Sequence, residues 1–181
     1  MPELANRVPE CRHDGRVISS SYDAVPWQGF AIAAVGAAAA LAGLLVVAAS
    51  INIREIIQLP AVVSRLAVTL ALFAGILFVG LALLVPGQSR TILGIEIAVI
   101  GAALAVTAWA ENGVNETEPE FRTTAILKAS IIVVAAVLIA IAGIALAGQF
   151  GGGLYWLVPG VLLAFAMGLL NSWVALIEIL R

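Results

Sequence analysis

The sequence predicts an all-α integral membrane protein built as a bundle of five transmembrane helices. Two observations predict this fold class. Hydrophobic residues make up 62% of the 181 residues and charged residues only 11%, whereas a soluble domain usually carries about 25% charged residues. The segment from Ala129 to Ile177 contains no Asp, Glu, Lys or Arg. As one helix it would be ~70 Å long, more than twice the ~30 Å hydrocarbon core of a bilayer, so it must cross the membrane twice.

Charged residues and helix-breaking residues set the limits of the spans. Each of five segments reaches the ~20 residues that a spanning helix needs, and none shows the alternation typical of a membrane barrel strand. A polar amino-terminal tail, residues 1–26, precedes the first span, and we expect it to be disordered. The predicted spans are residues 27–53, 62–85, 91–110, 124–147 and 154–178.

The first three spans are bounded by arginines, aromatic residues and turn residues. Trp27 opens the first span, as expected for an amphipathic ring at the level of the lipid headgroups, and Arg54 follows the end of that span. The second span lies between Arg65 and the turn at Pro86–Gly87, and the third contains one charged residue, Glu96.

The connection between the first two spans is apolar and lies between two arginines, Arg54 and Arg65. A polar loop would be the ordinary connection between two spans. We therefore expect this segment to rest in the membrane interface, with its arginines directed at lipid phosphates.

The last two spans come from the charge-free segment, and the glycine-rich turn Gly148–Gly153 separates them. Tyr155 and Trp156 open the fifth span as headgroup-level aromatic residues. The fourth span follows a polar connection, Glu111 to Arg122, which carries four glutamates. This acidic connection fits a solvated loop, and a docking site or a weak divalent-cation site is the alternative.

Several classes of function do not fit this composition. The chain has one His and one Cys, which excludes the usual zinc, iron–sulfur and bis-His haem arrangements. The net charge of −2 gives no basic patch for nucleic acid. There is no Walker sequence, no G-x-S-x-G and no H-E-x-x-H. We therefore predict that the protein is not an enzyme, carries no cofactor or metal and has no nucleic-acid partner.

Small residues recur at every third or fourth position in four of the predicted helices. Such stripes let helix backbones approach closely, which is the available driving force between apolar helices in lipid. We expect them to face other helices, although chance spacing is an alternative for the alanine-rich third and fourth helices. The glycines expected to mediate packing and assembly are Gly29, Gly36, Gly43, Gly160 and Gly168.

Three polar residues inside or at the ends of the spans are candidates for function. Asn171 continues the small-residue stripe of the fifth helix and could hydrogen-bond to a neighbour such as Asn52, at the end of the first. Glu96 has three interpretations: it reaches the interface or pairs with Arg90, it pairs with a partner subunit, or it is a protonatable site on a transport path.

Basic residues near the helix ends predict the orientation. The positive-inside rule places the side with more Lys and Arg in the cytoplasm. This puts the amino terminus outside and the carboxyl terminus inside. The cytoplasmic set is Arg54, Arg65, Arg122, Lys128 and Arg181, and the outer set is Arg12, Arg16 and Arg90.

The first span, from Trp27 through Gly36 to Ile53, resembles the opening helix of small multi-span membrane proteins of high-GC actinobacteria. The Pro-Gly-Gln-Ser turn at 86–89 fits the same resemblance, which covers about the first half of the chain. The resemblance implies a location in the bacterial plasma membrane. It implies no activity and no site residues.

The sequence therefore predicts a non-enzymatic multi-pass membrane protein whose partners are the lipid bilayer and either further copies of itself or another membrane protein. It would act as an accessory or regulatory subunit or by self-assembly. The alternative function is a channel or carrier for a small ion, with Glu96, Asn52 and Asn171 near its path.

Overall fold

The structure is a computed structural model that describes residues 21–112 and 122–180. Every regular element in these two ranges is helical, and five helices are long and apolar enough to cross a membrane. The prediction of an all-α bundle is confirmed. The predictions for residues 1–20 of the tail and for residues 113–121 of the acidic connection lie outside the described residues.

The helices follow one another with short connections. A 3-10 turn, Val25–Trp27, leads into the first span, and a second one, Gly153–Trp156, leads into the last. The first predicted span is interrupted at Asn52, where a long helix ends and a short one begins. The helices are α1 (Gln28–Ile51), α2 (Ile53–Gln58), α3 (Pro60–Leu84), α4 (Arg90–Asn112), α5 (Arg122–Gly148) and α6 (Leu157–Leu180).

Helices α3, α4, α5 and α6 form a closed ring, and α1 lies outside it. Each of α3, α4, α5 and α6 packs on the next, and α6 returns to pack on α3. Helix α1 packs mainly on α3, and only 22% of its span is buried, against 50% for α3. We call the end of the bundle that carries α2 the α2 end, and the opposite end, where residues 148–153 connect α5 to α6, the glycine-turn end.

The closest helix pair is the antiparallel hairpin of α4 and α5. A Cβ atom added at Gly101 would lie 2.5 Å from the backbone nitrogen of Ala140, and one added at Gly94 would lie 2.6 Å from the carbonyl oxygen of Gly143. Neighbouring backbones this close leave no room for a side chain. The small-residue stripes of α4 and α5 therefore face each other, and chance spacing does not explain them.

Helix α6 uses its small residues to approach both of its neighbours. A Cβ atom at Gly160 would lie 2.9 Å from the Ile139 side chain of α5, and one at Gly168 would lie 2.7 Å from the Phe73 ring of α3. Ala164 and Ala175, on the same stripe, are almost completely buried. This face of α6 thus lies in the interior of the bundle.

The segment before α1 is attached to the glycine turn by a hydrogen bond and a contact between aromatic rings. The Leu154 N–H donates to the Ser21 carbonyl oxygen over 2.9 Å, and the Trp27 and Tyr155 rings meet edge to face with centroids 5.0 Å apart. Gly151, Gly152 and Gly153 all have positive φ, between 54° and 97°, a backbone region that glycine adopts without steric penalty. The glycine run therefore shapes the turn that receives the amino-terminal segment.

We expect Gly101→Leu to destabilise the bundle by about 1–3 kcal/mol, because the new side chain would meet backbone atoms of α5 that cannot rotate away. Ala102→Leu, at the next and exposed position, should change the free energy of unfolding by less than about 0.5 kcal/mol. Unfolding in detergent micelles, followed by circular dichroism, measures both. Equal stability of the two variants would contradict backbone contact between α4 and α5.

Candidate functional site

The three polar residues singled out in the sequence lie in different parts of the fold. Glu96 is exposed on the half of α4 nearer the glycine-turn end, and Asn52 lies between α1 and α2 at the opposite end. Asn171 is 8% exposed on the interior stripe of α6. One copy of the chain therefore does not bring these three side chains together to line a common path.

Glu96 has a polar neighbour that the sequence analysis did not identify. The Gln88 Nε2 group donates to Glu96 Oε2 over 2.7 Å. Gln88 lies in the turn before α4, and its side chain extends along the first turns of that helix. Its amide therefore reaches a carboxylate eight positions further along the chain. An amide in a turn gives no sequence signal for such a contact, and an arginine pair with Arg90 was the simpler expectation.

The oxygen atom of the Gln88 amide is also unusual. This atom, Oε1, is buried and has no hydrogen-bond partner among the described residues. A buried carbonyl without a partner is uncommon in folded proteins. The Nε2 group of the same amide donates to Glu96, and this hydrogen bond fixes the position of the Gln88 side chain.

Asn52 joins two helices. Its Nδ2 group donates to the Ala48 carbonyl oxygen of α1 over 3.1 Å. Its backbone carbonyl oxygen accepts from the N–H groups of Glu55 and Ile56 in the first turn of α2, where the Asn52 side chain makes no capping hydrogen bond. The side chain therefore satisfies a backbone carbonyl group near the end of α1, and its amide nitrogen is engaged without a transported ligand.

Asn171 has a polar companion, Thr69, at the same depth in the bundle. The Gly168 backbone meets the Phe73 ring, and Asn171 and Thr69 each lie one helical turn from that contact toward the α2 end. Thr69 is fully buried, and its Oγ1 group donates to the Arg65 carbonyl oxygen of its own helix over 2.7 Å. A threonine that bonds its own backbone leaves no periodic pattern, which is why the sequence did not reveal it.

The expected hydrogen bond between Asn171 and Asn52 is not formed. The Asn52 amide is bonded to its own helix, and α3 separates α1 from α6 in the packing order. Within the described ranges, no hydrogen bond involves the Asn171 side chain. The largest fully buried side chains of the bundle, among the described residues, are apolar: those of Phe73, Leu72, Ile76, Ile97, Ile139, Leu146, Leu154 and Leu157.

Acidic and metal-ligating side chains are dispersed in the part of the chain that the structure describes. No three His, Cys, Asp or Glu residues there lie close enough to hold a metal ion together.

The remaining candidate surface is the stripe of Gly29, Ala33, Gly36, Ala40 and Gly43 on α1, which we call the glycine face. All five residues are exposed, and a Cβ atom added at any of its three glycines would meet no described atom within 4 Å. The expectation that this stripe faces another helix is therefore wrong for the described helices of one copy of the chain.

A different face of α1 makes the contact with α3. Ala31, Ala34, Ala38 and Leu45 are its buried residues, and Gly80 of α3 approaches the backbone of Ala31 there. At 3.6 residues per turn these residues lie on the side of α1 opposite the glycine face. Alanines, not glycines, are thus the small residues that join α1 to the bundle.

We expect Asn171→Leu to change the free energy of unfolding by no more than about 1 kcal/mol, because it removes an amide that makes no hydrogen bond to the described residues. Asn171→Asp is the matched contrast, since a carboxylate placed inside a span costs about 2.5–3.5 kcal/mol. Thermal unfolding of both variants in the same detergent measures the difference. A large loss with leucine would show that the Asn171 amide has a partner that stabilises the fold.

Comparison with known proteins finds no family model, no curated protein and no solved structure that matches this chain.

Proposed function

We propose that the protein is a non-enzymatic membrane subunit that assembles with further copies of itself through the glycine face of α1. This proposal rests on a difference between the glycines of α1 and those of the other long helices in how closely neighbouring atoms approach them. Those of α3, α4, α5 and α6 each have a near neighbour that a side chain would strike, whereas Gly29, Gly36 and Gly43 have none.

Glycine has a conformational cost in a helix, about 0.5–1 kcal/mol relative to alanine. Close contact with a neighbouring helix compensates for that cost in the ring. On α1 nothing in the described chain does so, and the three glycines lie along one line of an exposed helix. A second helix packed against this line would give these glycines the same role that glycines have elsewhere in the molecule.

A second copy of the chain fits this surface because the glycine face is complementary to itself. It is apolar and made of small residues, so a copy related by a two-fold axis presents an equal surface. Lipid chains would also cover the face, but they gain nothing from its lack of side chains. Helices in lipid associate where their backbones can approach, through stripes of this kind.

The ion channel or carrier has less support. Its three proposed path residues are dispersed, and Asn52 and Glu96 are each engaged by a neighbour. We therefore retain self-assembly as the function, in the bacterial plasma membrane with the carboxyl terminus in the cytoplasm. The resemblance of the first half of the chain supports the location, and the bias of basic residues supports the orientation.

We expect Ala40→Leu and Gly36→Leu to convert the assembled protein to monomers. Both positions are exposed within the copy, and open space surrounds Gly36, so each leucine fits the folded monomer and obstructs only a second helix. Native mass spectrometry of the protein extracted in mild detergent measures the oligomeric state.

Ala102→Leu is the control for this experiment, because it enlarges an exposed alanine on α4 and should leave the assembly intact. An unchanged mass distribution for both α1 variants would contradict the proposal. A different membrane protein bound in place of a second copy would do so as well, and would make the chain an accessory subunit.

A further inference from the structure

The connection between the first two spans lies at a membrane surface by its position in the fold. The candidate spans end at Ile51 and resume at Pro60, so α2 lies at the level where hydrocarbon meets headgroups. Ile56 is buried, at 3% exposure, and anchors α2 to the bundle. Ile53 and Ile57, by contrast, are exposed. A short helix with exposed isoleucines at this level has its apolar surface in contact with the outer part of the acyl chains.

A cavity opens beside this helix, at the beginning of α3. It has a volume of about 310 Å³ and is lined by Leu59, Pro60, Ala61 and Val62. The described residues that line it carry no charged side chain and no side-chain hydrogen-bonding group. An open, largely apolar cavity of this size accommodates part of a hydrocarbon chain.

Positive charge lies close to the cavity along the chain. Arg54 is exposed on α2, and Arg65 follows Ala61 by one helical turn on α3, where it is half-buried. Lys128 is exposed near the beginning of α5 at the same end of the bundle. Among the side chains that the structure describes at this end, Glu55 is the one acid. An arginine guanidinium is suited to phosphate because its planar fork can donate two hydrogen bonds at once.

We propose that this corner of the molecule is a binding site for an anionic phospholipid. The cavity at Leu59–Val62 takes part of an acyl chain, and Arg54, assisted by the charge of Arg65, binds the phosphate and the anionic headgroup. A soluble anion would make no use of the cavity, and a lipid without net charge would make less use of the arginines. The site does not depend on the glycine face of α1, so it exists in a monomer as well as in an assembly.

Lipid titration tests the proposal on the full chain. The protein is stripped of lipid in mild detergent and titrated with phosphatidylglycerol or with phosphatidylcholine of the same acyl chains, and native mass spectrometry counts the bound lipids. We expect phosphatidylglycerol to bind more tightly. Arg54→Gln should weaken its binding about fivefold, the effect expected for one basic residue at an anionic headgroup.

Two further variants separate the parts of the site. Arg90→Gln removes an exposed arginine at the glycine-turn end and should leave lipid binding unchanged. Ala61→Phe fills the cavity and should weaken the binding of both lipids. Because Arg54 and Ala61 are exposed, both variants should keep the thermal stability of the parent chain, which circular dichroism checks.

The outcomes that overturn the proposal are equally definite. Equal affinity for the two lipids, or an unchanged affinity of Arg54→Gln for phosphatidylglycerol, would exclude a headgroup site at α2. Loss of phosphatidylglycerol on addition of inorganic phosphate, with no effect of Ala61→Phe, would assign the arginines to a free anion instead of a lipid. The same lipid titration is carried out on Gly36→Leu, the variant that we expect to be monomeric. A loss of self-assembly can then be distinguished from a loss of lipid binding.

Discussion

Close packing of neighbouring helices at glycine is the interaction on which the rest of this structure depends. In lipid, apolar side chains gain little by leaving one hydrocarbon environment for another, so packing at short range must hold the helices together. Each interface of the four-helix ring contains a glycine at the point of contact: Gly75 against Leu104, Gly101 against Ala140, Gly160 against Ile139 and Gly168 against Phe73. Gly80 has the same role where α3 meets α1. Among the described residues, the interior is then filled mainly by alanine and branched aliphatic side chains, together with Phe73.

The sequence was sufficient to predict the number and class of the helices, because charge and turn residues interrupt the apolar segments at every membrane surface. It was not sufficient to predict which face of a helix meets which neighbour. Helix α1 is rich in small residues on two sides, and the pattern could not distinguish the alanines that pack on α3 from the glycines at positions 29, 36 and 43 that remain open. That choice depends on the shape of α3 around Gly80, which is a property of the folded pair.

For the polar residues too, contacts within one helix end can be predicted from the sequence, whereas contacts set by tertiary packing cannot. The hydrogen bonds of Asn52 follow from an asparagine at a helix end, and they are all to residues within four positions. The contact of Gln88 with Glu96 and the common depth of Thr69 and Asn171 depend on how a turn folds back and on how α3 and α6 are aligned. Neither leaves a periodic signal in the chain. The candidate surfaces for function are accordingly found at the periphery, on α1 and α2, where the ring imposes the fewest constraints.

The bond between the Leu154 N–H and the Ser21 carbonyl oxygen also sets an order of events during synthesis. The segment before α1 emerges from the ribosome first, but its partners, Leu154 and Tyr155, emerge only after α5 is complete. Helix α1 can therefore pack on α3 early, yet its amino-terminal end makes its contacts with Leu154 and Tyr155 only after those residues have been synthesised. The final span thus completes the attachment of the first, and a chain interrupted before residue 154 would lack both the hydrogen bond of Ser21 to Leu154 and the ring contact of Trp27 with Tyr155.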